Sequence, residues 1–473
     1  MIGRKILHVG QLIILTSVPF TITVELFAPS DFIHPLVGAK ISLADIAILL
    51  TFLFWIIYIV KKKKIGTVKL PPRHILLFVG IAFFSFLNAF SLKEWMKEFG
   101  QFFLYFIVYY TLLVNSEPNE KMRKKEIFCI TLLFIVVTVV AIFQSLSKSS
   151  DPYLVRGLFE NRHILGAFYV CSLPILFGYF LYLDKIWIKN LFLILFVSVV
   201  YVTFAPASLV AIIVGCLVIA YVNQNKMVIV LTFIVLCGSV VFSFCASEKS
   251  KKEIIRFASL YERNINESYS RIQTILYDLP KSKLYDQYIG RNRLVIKSDL
   301  FMSSQMPTLR QTDRYKEREY TQHIKQSVLE QQAALNMMGA FPLLGVGLGN
   351  FQKNVSQYYG ELPKTNTTEP NIHNGYLVIG ATTGLFGLVV LIYIFAKALA
   401  PYRQKRYNSN VIFDSSWSCG VLGSISALMV YNFFFDILVS GITIYFVWIL
   451  FSSQGNDQER IPIVKSPSLP GKM

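Results

Sequence analysis

The chain of 473 residues is poor in charge: Asp, Glu, Lys and Arg make up 16% of it, against roughly 25% in ordinary soluble domains. Length alone suggests two or three soluble domains, and that shortage excludes them. Cysteine is also scarce, with six residues: Cys129, Cys171, Cys216, Cys237, Cys245 and Cys419. Each lies in or at the edge of an apolar run, and none has metal-ligand spacing. Neither a disulfide framework nor a zinc site is indicated, and small apolar packing is the reading. No Asp-x-Asp pair or carboxylate cluster offers a seat for a divalent cation. The first apolar run lacks a small-residue cleavage site, so it reads as an uncleaved anchor.

What is abundant is hydrophobic length. Hydrophobic residues make up 54% of the chain, and Phe alone occurs 39 times. The apolar residues fall in runs of about 16–23, enough to cross a hydrocarbon core. The runs lie near 8–27, 41–60, 74–91, 99–114, 127–146, 164–183, 189–204, 208–222, 226–246, 374–396, 417–435 and 437–452. The expectation is an all-α polytopic membrane protein of about twelve transmembrane helices with one large, mostly helical extracytoplasmic loop. Its parts are helices 1–9 in 1–246, the loop in 247–372, helices 10–12 in 373–452 and a tail in 453–473. Pro19 and Pro174 fall inside spans and are expected to kink them.

The net charge of +18 does not point to nucleic acid, because the basic residues follow membrane topology rather than one soluble face. Lys61, Lys62, Lys63 and Lys64 directly follow an apolar run. Lys121, Arg123, Lys124, Lys125, Arg403, Lys405 and Arg406 fall in loops on the same side. The short loops opposite hold few: Lys40, Lys93, Lys97, Lys148, Arg156 and Arg162. That asymmetry predicts cytoplasmic termini.

Helical patterns run near 251–277 and 314–338 in the large loop. The second ends at Gly339, with Pro342 just beyond, a usual stop signal. On it Arg314, Arg318 and Lys325 fall within about 40° of one another. This stripe is either a clamp for a phosphate-rich ligand or a solvated face balanced by Glu317 and Glu319. The stretch 278–313, with Arg291, Arg293 and Arg310, has no assignable structure. Gly345, Gly347 and Gly349 look like a nucleotide loop but lack the flanking strand and helix. Local chain reversal is the better reading.

Four histidines are placed on the outer side: His34, His163, His323 and His373. His373 stands in Pro370-Asn371-Ile372-His373-Asn374, just before a span. Its imidazole could take a proton from an acceptor hydroxyl, with Asn374 orienting it; the alternative is an interfacial cap for the next helix. Arg156 and Arg162 flank a short outer loop that also holds Glu160, Asn161 and His163. They either neutralise a diphosphate or simply solvate the loop. Asp436 reads as a turn residue, and Glu25 is unremarkable.

These segments resemble the O-antigen ligase and polymerase superfamily. Arg156, Gly157, Phe159, Asn161 and Gly166 approximate its outer-loop motif, with His163 where an asparagine is common. Ala334-Leu335 and the run Pro342-Leu343-Leu344-Gly345-Val346-Gly347-Leu348-Gly349-Asn350-Phe351 match its next stretch. His373-Asn374-Gly375-Tyr376-Leu377, then Gly380 and Gly384-Leu385-Phe386-Gly387, match the last. The family's arginine at a middle outer turn is missing: Thr203-Phe204-Ala205-Pro206-Ala207-Ser208 stands there. A long insertion also precedes Arg314.

The resemblance implies a glycosyltransferase of the bacterial inner membrane. The donor would be a glycan on a polyprenyl diphosphate; the acceptor would be lipid A core or another glycan. Arg156, Arg162, Arg318, and Arg314 or Lys325 would stabilise the departing diphosphate, without metal or cofactor. His373 would be the base, Asn374 its orienter, and transfer would invert the anomeric carbon. Asn161, His163 and His323 become possible substrate contacts, with membrane lipids around the spans. A polymerase or a protein O-oligosaccharyltransferase would share these motifs. A transporter or flippase of lipid-linked sugars is a different class. Against it stand the lack of an internal repeat, the lack of paired broken helices and few ionisable groups deep in the spans.

Overall fold

The computed structural model describes residues 2–19, 24–25, 40–116, 120–147, 155–159, 162–181, 195–196, 198–199, 206–223, 329–358, 374–404 and 412–435. Among these the chain is helical apart from one two-residue antiparallel pairing, Val24↔Ile41 and Glu25↔Lys40. Among the described residues five helices are long and apolar enough to cross a membrane: Leu43–Lys61, Leu92–Ser116, Glu120–Leu146, Arg162–Phe180 and Gly375–Ala400. Shorter apolar helices cover Arg73–Asn88, Ala207–Val222 and Trp417–Tyr431. Such helices mark a membrane protein. The spans expected at 226–246 and 437–452, and most of 189–204, lie outside the described residues. So does most of the loop 247–372.

Helix α1 (Ile2–Ser17) starts and ends earlier than the span expected at 8–27. Pro19 follows it and marks a stop instead of a kink, since proline cannot continue the hydrogen-bond ladder. Helix α2 (Leu43–Lys61) opens on a capping box. The Asp45 amide donates to Ser42 Oγ at 3.1 Å and the Ser42 amide donates to Asp45 Oδ2 at 2.8 Å. Two orphan amides are thus satisfied reciprocally. Tyr105 Oη donates to Asp45 Oδ1 at 2.8 Å, which gives this buried carboxylate a third contact.

Helix α3 (Arg73–Phe84) runs into a short turn, Ser85–Asn88. Helix α4 (Leu92–Phe103), a π-helical turn (Leu104–Tyr109) and α5 (Tyr110–Ser116) form one continuous run. That run starts well before the span expected at 99–114. Lys93, Glu94, Lys97 and Glu98 lower the hydropathy of its first turns, although one face there is apolar. Next come α6 (Glu120–Ser147), α7 (Arg162–Leu181) and α8 (Pro206–Asn223). Then follow α9 (329–340), α10 (Gly375–Gln404) and α11 (Ile412–Tyr431).

The tightest packing joins α7, α8 and α11. A Cβ on Gly215 of α8 would lie 2.7 Å from the Gly423 carbonyl oxygen of α11, and one on Gly420 would lie 2.9 Å from Ile175 Cα of α7. Small residues let backbones approach where lipid supplies no hydrophobic drive between helices. Ser424 Oγ donates across the same interface to the Cys171 carbonyl at 2.7 Å. Pro174 lies inside α7, as expected. By contrast Leu53, Phe54, Leu77, Leu132 and Phe143 are exposed, as a lipid-facing surface requires.

Helix α10 holds a break that the sequence reading did not foresee. Gly384 sits at φ 75°, ψ 179° inside it, a conformation essentially confined to glycine. This is a single break among the described residues, within the span expected at 374–396, and not a matched pair.

Candidate functional site

At the start of α7 the chain makes a tight turn, with the Phe159 amide donating to the Arg156 carbonyl at 3.0 Å. Gln144 of α6 clamps this turn from below. Its Oε1 accepts from the Arg156 amide at 3.0 Å and the Gly157 amide at 2.9 Å, while its Nε2 donates to the Gly157 carbonyl at 2.8 Å. Gly157 takes φ 61° above Leu165 and Val137. The backbone is pinned and the Arg156 side chain stands exposed. Arg162 and His163, the first residues of α7, are half-buried.

The end of α11 ties this turn to the start of α10. Tyr431 Oη donates to the His163 carbonyl at 3.0 Å and accepts from Ser208 Oγ at 3.4 Å. A side chain on Gly166 would collide with both hydroxyls. The His163 ring lies 4.2 Å from that of Phe435. One residue along, the Asn432 carbonyl accepts from the Gly375 amide at 2.8 Å. Tyr376 Oη donates to the Met429 carbonyl at 2.9 Å. Asn374 is the N-cap of α10: its Oδ1 accepts from the Tyr376 and Leu377 amides, both at 3.1 Å.

The glycine-rich stretch is a second structured element. Gly345, Gly347 and Gly349 have φ of 64°, 90° and 69°, so chain reversal is the correct reading. What it reverses onto is the broken α10. In an unbroken helix the Leu385 amide would donate to the Ala381 carbonyl. Here it donates to Pro342 at 2.7 Å. The Ala381 and Thr382 carbonyls accept instead from the Val346 and Gly347 amides, at 2.8 and 3.1 Å. On its other side the loop docks on the corner between α3 and α4. Asn88 Nδ2 donates to the Gly345 carbonyl at 3.0 Å, and the Leu348 amide donates to Ser85 Oγ at 3.3 Å. Asn350 Oδ1 accepts from the Ser91 amide at 2.7 Å, and its Nδ2 donates to the Leu348 carbonyl at 2.9 Å. Just beyond, Asn336 Nδ2 donates to the Tyr358 carbonyl at 2.9 Å, and burial raises the Tyr358 phenol above its ordinary range.

Of the residues proposed from sequence, Arg156, Arg162, His163 and Asn374 are described. Asn161, Arg314, Arg318, His323, Lys325 and His373 lie outside the described residues. The structure brings Arg162 and His163 to the same junction as Asn374, and His373 immediately precedes Asn374 in the chain. Among the described residues no group of three or more His, Cys, Asp and Glu could hold a metal ion. Gln144, Tyr431 and Asn432 were missed. The only local signal was a polar Tyr-Asn pair at the end of an otherwise apolar span.

Comparison with known families supports the resemblance over part of the chain. Residues 191–392 match the family described as O-Antigen ligase. The O-antigen ligase match takes in the glycine-rich loop, the Gly384 break and the start of α10. The turn at Arg156 and the Tyr431–Asn432 pair lie outside it, so the junction combines matched and flanking segments. A search of curated proteins found no match.

Proposed function

We propose that the protein is a membrane glycosyltransferase of the O-antigen ligase type. It moves a glycan from a polyprenyl diphosphate to an acceptor hydroxyl on the outer face of the bacterial inner membrane, with both termini in the cytoplasm. The observation that supports this best is the junction itself. Tyr431 and Asn432 hold the start of α7, with Arg162 and His163, beside the start of α10, in a chain that matches the ligase family.

In this reading Arg156 and Arg162, with Arg314, Arg318 and Lys325 of the loop 247–372, neutralise the diphosphate. A guanidinium presents paired donors to phosphate oxygens. Asn161, His163 and His323 contact substrate. The acceptor oxygen attacks the anomeric carbon as its proton passes to the His373 imidazole. The bond from that carbon to the diphosphate breaks, its electron pair leaves with the polyprenyl diphosphate, and the anomeric configuration inverts. His373→Ala in the full chain should lower transfer by about 10²–10⁴-fold while leaving binding of the lipid-linked donor unchanged. Wild-type transfer in that variant would overturn the role of His373. Product analysis with lipid A core, or with a second lipid-linked glycan as acceptor, separates ligase from polymerase.

The break in α10 is the one observation that favours a transporter, since discontinuous helices line carrier sites. Yet the freed Ala381 and Thr382 carbonyls are taken by loop amides and are not open to an ion. Asp45, Arg123 and Glu126 are buried, but they sit in the first two turns of α2 and α6 and not at mid-span.

A further inference from the structure

The junction contains a carboxamide that its neighbours leave unanswered at both ends. Asn432 is 0% exposed, and neither its Nδ2 nor its Oδ1 has a hydrogen-bond partner among the described residues. Its backbone is fully engaged: the amide donates to Leu428 at 3.0 Å and the carbonyl accepts from Gly375 at 2.8 Å. The residue is therefore held firmly while its carboxamide stays idle. A buried amide without partners costs free energy that an apolar side chain of similar size would not. A turn position just past α11 tolerates asparagine, but it does not require the side chain to be buried without a partner.

We propose that the Asn432 carboxamide is a binding contact for sugar hydroxyls of the lipid-linked glycan. This rests on the transferase reading. The class of ligand follows from what the group needs. A carboxamide offers N–H donors and a carbonyl acceptor side by side. Diphosphate oxygens only accept, so they would engage Nδ2 and leave Oδ1 bare. A polyprenyl tail answers neither. Adjacent sugar hydroxyls both donate and accept, and two of them satisfy both halves at once. The position fits: Tyr431 next to it holds the His163 carbonyl, and Gly375, its backbone partner, follows His373-Asn374 in the chain. Asn374 cannot take the same role through its oxygen, which is committed to two helix amides.

The test uses the full chain, a polyprenyl-diphosphate-linked sugar and the monodeoxy analogues of that donor. In the wild type, removing the contacted hydroxyl should lower kcat/KM by about 10- to 100-fold. Asn432→Ala should lose a similar factor on the complete donor and nothing further on that deoxy donor. Asn432→Leu should be as poor in transfer yet melt higher than wild type without donor, because it removes an unsatisfied polar group without leaving a cavity. Wild-type kinetics in both variants would overturn the contact, as would losses from variant and deoxy donor that multiply independently. A wild-type protein that transfers nothing from any lipid-linked glycan would sink the transferase reading itself, and the contact with it.

Discussion

Two buried asparagines divide the molecule. Asn350, in the glycine-rich loop, and Asn432, at the end of α11, are both 0% exposed. Asn350 accepts from the Ser91 amide and donates to carbonyls, so its carboxamide is satisfied at both ends. Asn432 has no partner for either. The difference separates scaffold from site. Near Asn350 the Leu385 amide and the Ala381 and Thr382 carbonyls, freed by the α10 break, are recaptured by the loop, which is how a membrane helix can be interrupted at all. Around Asn432 the backbone is equally well held, but a polar group is kept in reserve.

The comparison can be broken most severely at Gly384. Gly384→Ala forces a Cβ against the Leu343 backbone at a φ of 75°. The strain and the overlap together should cost roughly 4 kcal/mol or more. The expected outcome is loss of folded protein in detergent, seen as a collapse of the melting transition. A normal melt would show that the loop can move away, and the scaffold role would fail. On the site side, Gln144→Ala removes all three hydrogen bonds that pin the Arg156 turn. Here about 2–3 kcal/mol is at stake. Donor KM should rise about tenfold, since backbone order at Arg156 is lost while the arginine itself remains. Gentlest is Tyr431→Phe. It deletes one hydroxyl, which bridges His163 and Ser208, and should cost about 1–2 kcal/mol. Transfer should fall only a few-fold, because Phe keeps the ring packed against Phe435. A loss as large as that of an Asn432 variant would mean that Tyr431 touches substrate.

Much of the architecture was legible in advance because it is local. Apolar runs place α2, α7 and α8 near their observed bounds and locate α6, α10 and α11 with one end off by five to eight residues, since span length is set by bilayer thickness. The three glycines were read as a reversal because their allowed dihedral space is a property of the residue. The start of the Leu92–Ser116 run was not legible, because Lys93, Glu94, Lys97 and Glu98 interrupt its hydropathy. Neither was the α10 break: Gly384 looks like any small residue in an apolar span.

The sequence by itself determined that this is a membrane protein, that several of its apolar stretches are helical, where its chain reverses at the three glycines and which family it resembles. These follow from hydrophobic length, from glycine and from contiguous motifs. Only tertiary structure decided that the glycine loop repairs a broken helix, that Asn374 is spent on a cap, and that the Asn432 carboxamide is buried without a partner. Those facts depend on hydrogen bonds such as Asn88 to Gly345 and Tyr431 to His163, which join residues 257 and 268 positions apart. No local pattern carries a contact of that separation, because the partner is chosen by how the helices pack.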